Sequence, residues 1–132
     1  MNKKMKCLIV DDEKYFLLYI KTLFEFNGFE VVSKSNVDDA LDVLSTEKVD
    51  FVISDLQMPG KDGYCLIEEI AKKQQTKDIP VIVVSNDDSQ DAVSRVMEMG
   101  VAGYIRKPFL KSHIEKIIEF LSKKGQNLDK YK

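Results

Sequence analysis

Four apolar runs in this chain lead directly into side chains that could do chemistry. Cys7-Leu8-Ile9-Val10 runs into Asp11-Asp12-Glu13, and Phe51-Val52-Ile53 into Ser54 and Asp55. Val81-Ile82-Val83-Val84 ends in Ser85, and Gly103-Tyr104-Ile105-Arg106 ends in Lys107-Pro108-Phe109. Singly, each has a plain reading: Asp55 as a turn former, Asp11 or Asp12 as a helix cap, Ser85 as a turn residue, Lys107 as a surface charge and Tyr104 as strand filler. A carboxylate can also be a covalent nucleophile, and a lysine facing it adds positive charge for an anionic substrate. The exits of parallel strands share one rim, which is where α/β sheets place their ligands. The chain thus sets acids, a nucleophile candidate, a hydroxyl and a lysine at one edge of one presumed sheet. Asp55 opens the run Asp55-Leu56-Gln57-Met58-Pro59-Gly60-Lys61-Asp62-Gly63, whose Met-Pro and Asp-Gly pairs force a turn.

The elements that must position these residues alternate between strand-like and helix-like periods five times, the pattern of an α/β sheet wound by crossover helices. Strands are expected near Met5–Val10, Glu30–Ser33, Phe51–Ser54, Val81–Val84 and Gly103–Arg106. Helices are expected near Lys14–Asn27, Val37–Thr46, Tyr64–Lys73, Gln90–Met99 and Ser112–Lys123. The first, third and fourth apolar runs are continuous, as central parallel strands require, and the second suits an edge. Gly28 and Gly100 stand where a left-handed helix end is wanted, and Ser35 or Asn36 where the second helix needs an N-cap.

At 132 residues the chain is long enough for one core. Its 44% hydrophobic and 32% charged content is ordinary for a globular domain. A net charge of −2 gives no basis for sequence-independent binding to nucleic acid. Behind Met1-Asn2-Lys3-Lys4-Met5-Lys6 the apolar run is far too short for a signal peptide or a membrane span, and the cytoplasm is the expected compartment. Cys7 and Cys65 lack metal-type spacing and read as reduced, half-buried thiols. Residues 1–123 are expected to form the domain, with 124–132 a polar tail.

Asp11-Asp12, Asp55, Ser85, Tyr104 and Lys107-Pro108, in that order at successive strand exits, resemble the receiver domain of bacterial two-component response regulators. The resemblance covers about the first 122 residues, and all five expected features are present. It implies a flavodoxin-like (βα)5 sandwich with a five-stranded parallel sheet of order 2-1-3-4-5, whose switch point brings Asp11, Asp12 and Asp55 together. Three carboxylates that close raise one another's pKa. A divalent cation relieves this, and Mg²⁺ with retained waters suits an open set of hard oxygen ligands. By resemblance, Asp12, Asp55 and the backbone carbonyl of Gln57 hold the metal, Asp11 acts through a bound water, and Asp55 is the phosphoacceptor. Lys107 follows a strand exit and precedes a proline whose peptide bond is cis in the family. Ser85 is the implied switch hydroxyl and Tyr104 the implied switch aromatic. Asn86 departs from the small residue usual after the switch hydroxyl. With Gln57 and Asp87 it bears on phosphate lifetime, either by covering the phosphoryl group or by orienting a water.

The implied function is a phosphorylation-switched binding module. A histidine kinase or histidine phosphotransfer protein donates, and a downstream protein target reads the surface of the fourth helix, fifth strand and fifth helix. In the first helix Phe16, Tyr19, Ile20, Leu23 and Phe24 form an apolar stripe expected to face the core, with Leu18 opposite. Leu17, Leu18 and Phe109 are the candidates for docking on the donor. The fifth helix is expected to bury Ile114, Ile117, Ile118 and Leu121, with Phe120 to the side and His113 solvated. Two other classes fit less well. A haloacid-dehalogenase-type phosphohydrolase wants a second aspartate two positions after the nucleophile, where Gln57 stands. A flavodoxin-like cofactor carrier wants a phosphate loop after the first strand, where Asp11-Asp12-Glu13 would repel phosphate.

Overall fold

The computed structural model describes residues 4–123, so the tail expected at 124–132 lies outside the described residues. Five strands alternate with five helices: β1 (Lys6–Val10), α1 (Lys14–Phe26), β2 (Glu30–Lys34), α2 (Val37–Thr46), β3 (Phe51–Ser54), α3 (Gly63–Lys72), β4 (Val81–Ser85), α4 (Gln90–Glu98), β5 (Gly103–Arg106) and α5 (Lys111–Lys123). All strand pairs are parallel, in the order β2-β1-β3-β4-β5. The expected elements are all present, with ends moved by a residue or two.

Alternation along each strand divides the core in two. Leu8, Val10, Val52 and Val83 face α2, α3 and α4. Cys7, Ile9, Ile53, Ile82 and Val84 face α1 and α5. The register pairs Val10 with Ser54, so β1 and β3 end level and Asp11 and Asp55 leave the sheet side by side. The helix ends follow local chemistry. Asn36 caps α2, its side chain accepting from the Asp39 N–H at 2.8 Å. Gly28 and Gly100 take φ of 90° and 91° past the ends of α1 and α4, a conformation costly for any residue with a Cβ.

Several side-chain expectations fail. In α1 only Ile20 and Phe24 are fully buried; Phe16 and Leu23 lie at the core's margin, and Tyr19 is 47% exposed. Its ring reaches over to the β5–α5 loop, where its hydroxyl donates to the Phe109 carbonyl at 2.7 Å. Phe109 is no docking residue. It is 1% exposed and packs against Phe24 with ring centroids 5.8 Å apart. Leu17 also leans on the core, whereas Leu18 is exposed as expected. α5 is rotated from the expected face: Phe120 is buried with Ile114 and Ile117, while Ile118 is exposed. A stripe at spacings of three and four admits either face, and the sheet chose the one carrying the larger ring. Cys7 is wholly buried rather than half-buried; Cys65 is half-buried, and both are free thiols. His113 is partly buried beside Phe109, and its Nδ1 accepts the Leu110 N–H at 2.9 Å.

Candidate functional site

At the C-terminal rim of the sheet, Asp11 and Asp55 are both buried, the usual sign of acids held by specific partners. Backbone N–H groups fix one oxygen of each. Asp11 Oδ1 accepts from Glu13 N–H at 2.9 Å. Asp55 Oδ1 accepts from Leu56 N–H at 2.6 Å and Gln57 N–H at 3.3 Å. The other oxygen of each faces Lys107, whose Nζ lies 3.0 Å from Asp11 Oδ2 and 3.1 Å from Asp55 Oδ2. A third acid completes the set, with Glu13 Oε1 2.9 Å from the same nitrogen. The ring of Phe16 stands beneath the ammonium, 4.2 Å from centroid to Nζ, within range of a cation–π attraction.

The loops that deliver these groups are held by backbone. Lys107 N–H donates to the Ser85 carbonyl at 2.9 Å, which ties the exit of β5 to that of β4, and the Lys107–Pro108 peptide is cis. Behind Asp55, the chain reverses through Gly60 at φ 78° and enters α3 under an N-cap from Asp62, which accepts the Cys65 N–H at 3.1 Å. Gly63 follows, and a Cβ there would lie 2.1 Å from the Asp55 carbonyl oxygen. The Asp-Gly pair is therefore a cap followed by a close approach of backbone to backbone, not simply a turn.

The charges shift one another. Burial pushes Asp11 up to about 6, against the pull of the Glu13 N–H and the Lys107 ammonium. Burial alone would lower Lys107, but its bonds to Glu13 and Asp11 and the charges of Asp11 and Asp55 hold it well above the usual lysine range. The lysine is a fixed cation at any physiological pH.

Ser85 and Tyr104 lie beside this cluster and are both buried. Ser85 Oγ accepts from Asp87 N–H at 3.2 Å, and the Tyr104 hydroxyl donates to the Asp87 carbonyl. The two side chains thus grip the backbone of one residue between them. Asn86 and Gln57 are exposed on the rim.

Of the acids expected at the metal, Asp11 and Asp55 converge, while Asp12 is exposed and its carboxylate is not among those that gather. Glu13 is the residue that sequence reasoning missed. Its carboxylate lies with those of Asp11 and Asp55, ligand atoms within 4.8 Å of one another. The chain bends at Asp12 and the Glu13 N–H turns back onto Asp11, so the meeting of the two acids at Lys107 was not a pattern that strand alternation could show. Phe16 was read as core alone. Neither Asp11 nor Asp12 caps α1, since Glu13 holds that position without a side-chain bond. The all-oxygen donor set fits Mg²⁺, and a cluster that already draws in the Lys107 ammonium has the charge a divalent ion would answer.

The sequence profile of the response regulator receiver domain matches residues 7–119. The chain is 35% identical over 128 residues to chemotaxis protein CheY-3 of Vibrio cholerae, covering 92% of this chain and 97% of that protein. It is 36% identical over 122 residues to chemotaxis protein CheY of Pseudomonas aeruginosa, covering 87% and 97%. A CheY-like receiver domain protein from Methanospirillum hungatei superposes with a TM-score of 0.85 at 27% identity, over 92% of this chain and 96% of that one. No helix among the described residues is long and apolar enough to cross a membrane. Family members are signalling switches that bind Mg²⁺ at an acidic pocket, and the pocket of buried acids around a lysine described above is of that kind. With order 2-1-3-4-5, a rim of converging acids and a profile match over most of its length, the chain belongs to the response regulator receiver domain family and is a phosphorylation-activated receiver.

Proposed function

We propose that Asp55 accepts the phosphoryl group, from a phosphohistidine on a histidine kinase or histidine phosphotransfer protein. The observation that supports this most is the sharing of Lys107 by two buried carboxylates, one of which, Asp55, has its second oxygen pinned by two N–H groups. That leaves Asp55 Oδ2 as the oxygen to attack phosphorus. As the new O–P bond forms, the P–N bond to the donor imidazole breaks, and its electron pair returns to the ring nitrogen. Lys107 offsets charge gathering on the phosphoryl oxygens. Mg²⁺ would be held by Asp55 and the Gln57 carbonyl, with Asp11 through a water and with Asp12 once its exposed side chain turns inward, and would supply charge that screens the repulsion between carboxylate and phosphoryl group. The chemistry is confined to the protein's own phosphorylation and dephosphorylation.

Ser85 then turns its hydroxyl from the Asp87 N–H to a phosphoryl oxygen. Because Tyr104 holds the carbonyl of the same residue, movement at Ser85 reaches β5 directly. The surface this biases is a groove of about 470 Å³ over α4, β5 and α5, lined by Val93, Tyr104, Arg106, Leu110 and His113. A downstream protein binds there, with no direct nucleic acid contact and no membrane insertion, and the cytoplasm is the compartment this reading implies. Leu18, exposed on α1, is the docking contact retained for the phosphohistidine donor. Acetyl phosphate with Mg²⁺ should add one phosphoryl group to the parent and none to Asp55→Asn, read by intact mass. Equal labelling of both would overturn the assignment.

A further inference from the structure

We infer that Glu13 is a placeholder on Lys107, occupying the ammonium until a phosphoryl oxygen takes its place; this rests on the receiver reading with Asp55 as acceptor. A lysine ammonium has three N–H bonds to give. Here all three are spent, on Asp11 at 3.0 Å, Glu13 at 2.9 Å and Asp55 at 3.1 Å. Once Asp55 Oδ2 is bonded to phosphorus it accepts poorly and frees one N–H. The group brings three anionic oxygens to the same nitrogen, however, so Lys107 meets a second of them only if Asp11 or Glu13 withdraws.

The three acceptors are not equally able to do so. Asp55 hands its place on the ammonium to the phosphoryl group it carries. Asp11 is buried, and withdrawing would strip its Oδ2 of the one cationic side chain that meets it, a costly outcome. The Glu13 side chain is 59% exposed, so water replaces the lysine there at little cost. Its backbone need not move: its N–H remains on Asp11 and it keeps the N-cap position of α1. When Glu13 leaves, the Phe16 ring and Asp11 still seat the ammonium. Glu13 thus keeps Lys107 in position and also opposes the arriving anion with its own charge. It acts through the lysine as a positioning residue.

Beryllofluoride, a phosphoryl mimic that assembles on the acceptor carboxylate, gives the test by calorimetric titration at saturating Mg²⁺, with the Mg²⁺ affinity of each protein measured first. Glu13→Gln should bind it about two- to fivefold more tightly than the parent, the range an exposed ion pair supports. Glu13→Ala should do at least as well, with both variants melting cooperatively like the parent. Because the competition is one of charge at a solvated group, the gap should close as salt approaches about 1 M. Unchanged or weaker binding in the variants would overturn the inference, and so would a gap that persists in high salt. A parent that binds no beryllofluoride would instead count against the receiver reading itself.

Discussion

Each end of the sheet carries a lysine among three acids, yet the two clusters are physically different. At the N-terminal end, Lys6 Nζ meets Glu30 at 3.3 Å and Glu47 at 2.8 Å, while its backbone N–H donates to Asp50 at 2.7 Å. Both glutamates are open to solvent. At the C-terminal end, Lys107 meets Asp11 and Asp55, each buried, and only Glu13 is solvated. Lys6 is raised chiefly by its bond to Glu47, whereas at the other end burial raises Asp11. Charge clustering is common on protein surfaces and by itself signals nothing. What separates a reactive centre from a surface network is that its charges cannot be traded for water.

The sharpest way to break that contrast is to remove each lysine. Lys107→Met should slow labelling of Asp55 by acetyl phosphate at least about 100-fold, the usual scale for losing a preorganised charge at a transition state. Lys6→Met should leave the rate unchanged. A matched loss in both variants, followed by mass spectrometry over time, would mean that Lys107 acts only through the fold. Backbone packing distinguishes the two ends as well. Gly63 sits so close to the Asp55 carbonyl that Gly63→Ala forces β3 or α3 to shift. It should cost about 3 kcal/mol, the upper end for overpacking, by denaturant unfolding, and should slow labelling too. Full stability would show that the rim is more pliant than its geometry indicates.

Much of this contrast was legible in the sequence. Continuous apolar runs gave the central strands, and reactive side chains at their exits gave the rim, because a parallel sheet must end its strands together. The misses lie where one-dimensional patterns are degenerate. Ile118 and Phe120 compete for one helical face, and only the shape of the sheet decides between them. Phe109, a lone aromatic in a loop, has no periodicity to declare it buried. Among three consecutive acids, a bend at Asp12 leaves Asp11 and Glu13 on Lys107 and Asp12 exposed. Burial of Asp11, the property that separates the two clusters, depends on residues distant in sequence, above all Lys107.

That burial should be visible as a pH dependence. In the folded chain Asp11 is raised to about 6 from an ordinary 3.8. Between those values the folded state therefore holds a proton that the unfolded chain has released. By linkage, this contribution stabilises the fold fully below about pH 4 and is lost as pH rises through 6. Its full size is at most about 3 kcal/mol. With divalent metal chelated, the stability of the parent relative to Asp11→Asn should fall across that window. Parallel curves would mean that the carboxylate is solvated and the two ends of the sheet are more alike than their structures indicate.

The smallest effect belongs to the solvated cluster. Lys6→Met removes both exposed ion pairs but leaves the backbone bond to Asp50, and the apolar stem of methionine still covers the strand end. Exposed pairs of this kind contribute little to stability, and salt screens them. The variant should therefore unfold at nearly the parent's denaturant midpoint at low ionic strength, and any difference should vanish as salt approaches about 1 M. Glu30 and Glu47 can each turn to water when the lysine is gone, the option denied to Asp11. A large drop in the midpoint that persisted in high salt would show that the lower cluster is desolvated in solution. The difference between the two ends would then lie in which residues surround the charge, rather than in access to water.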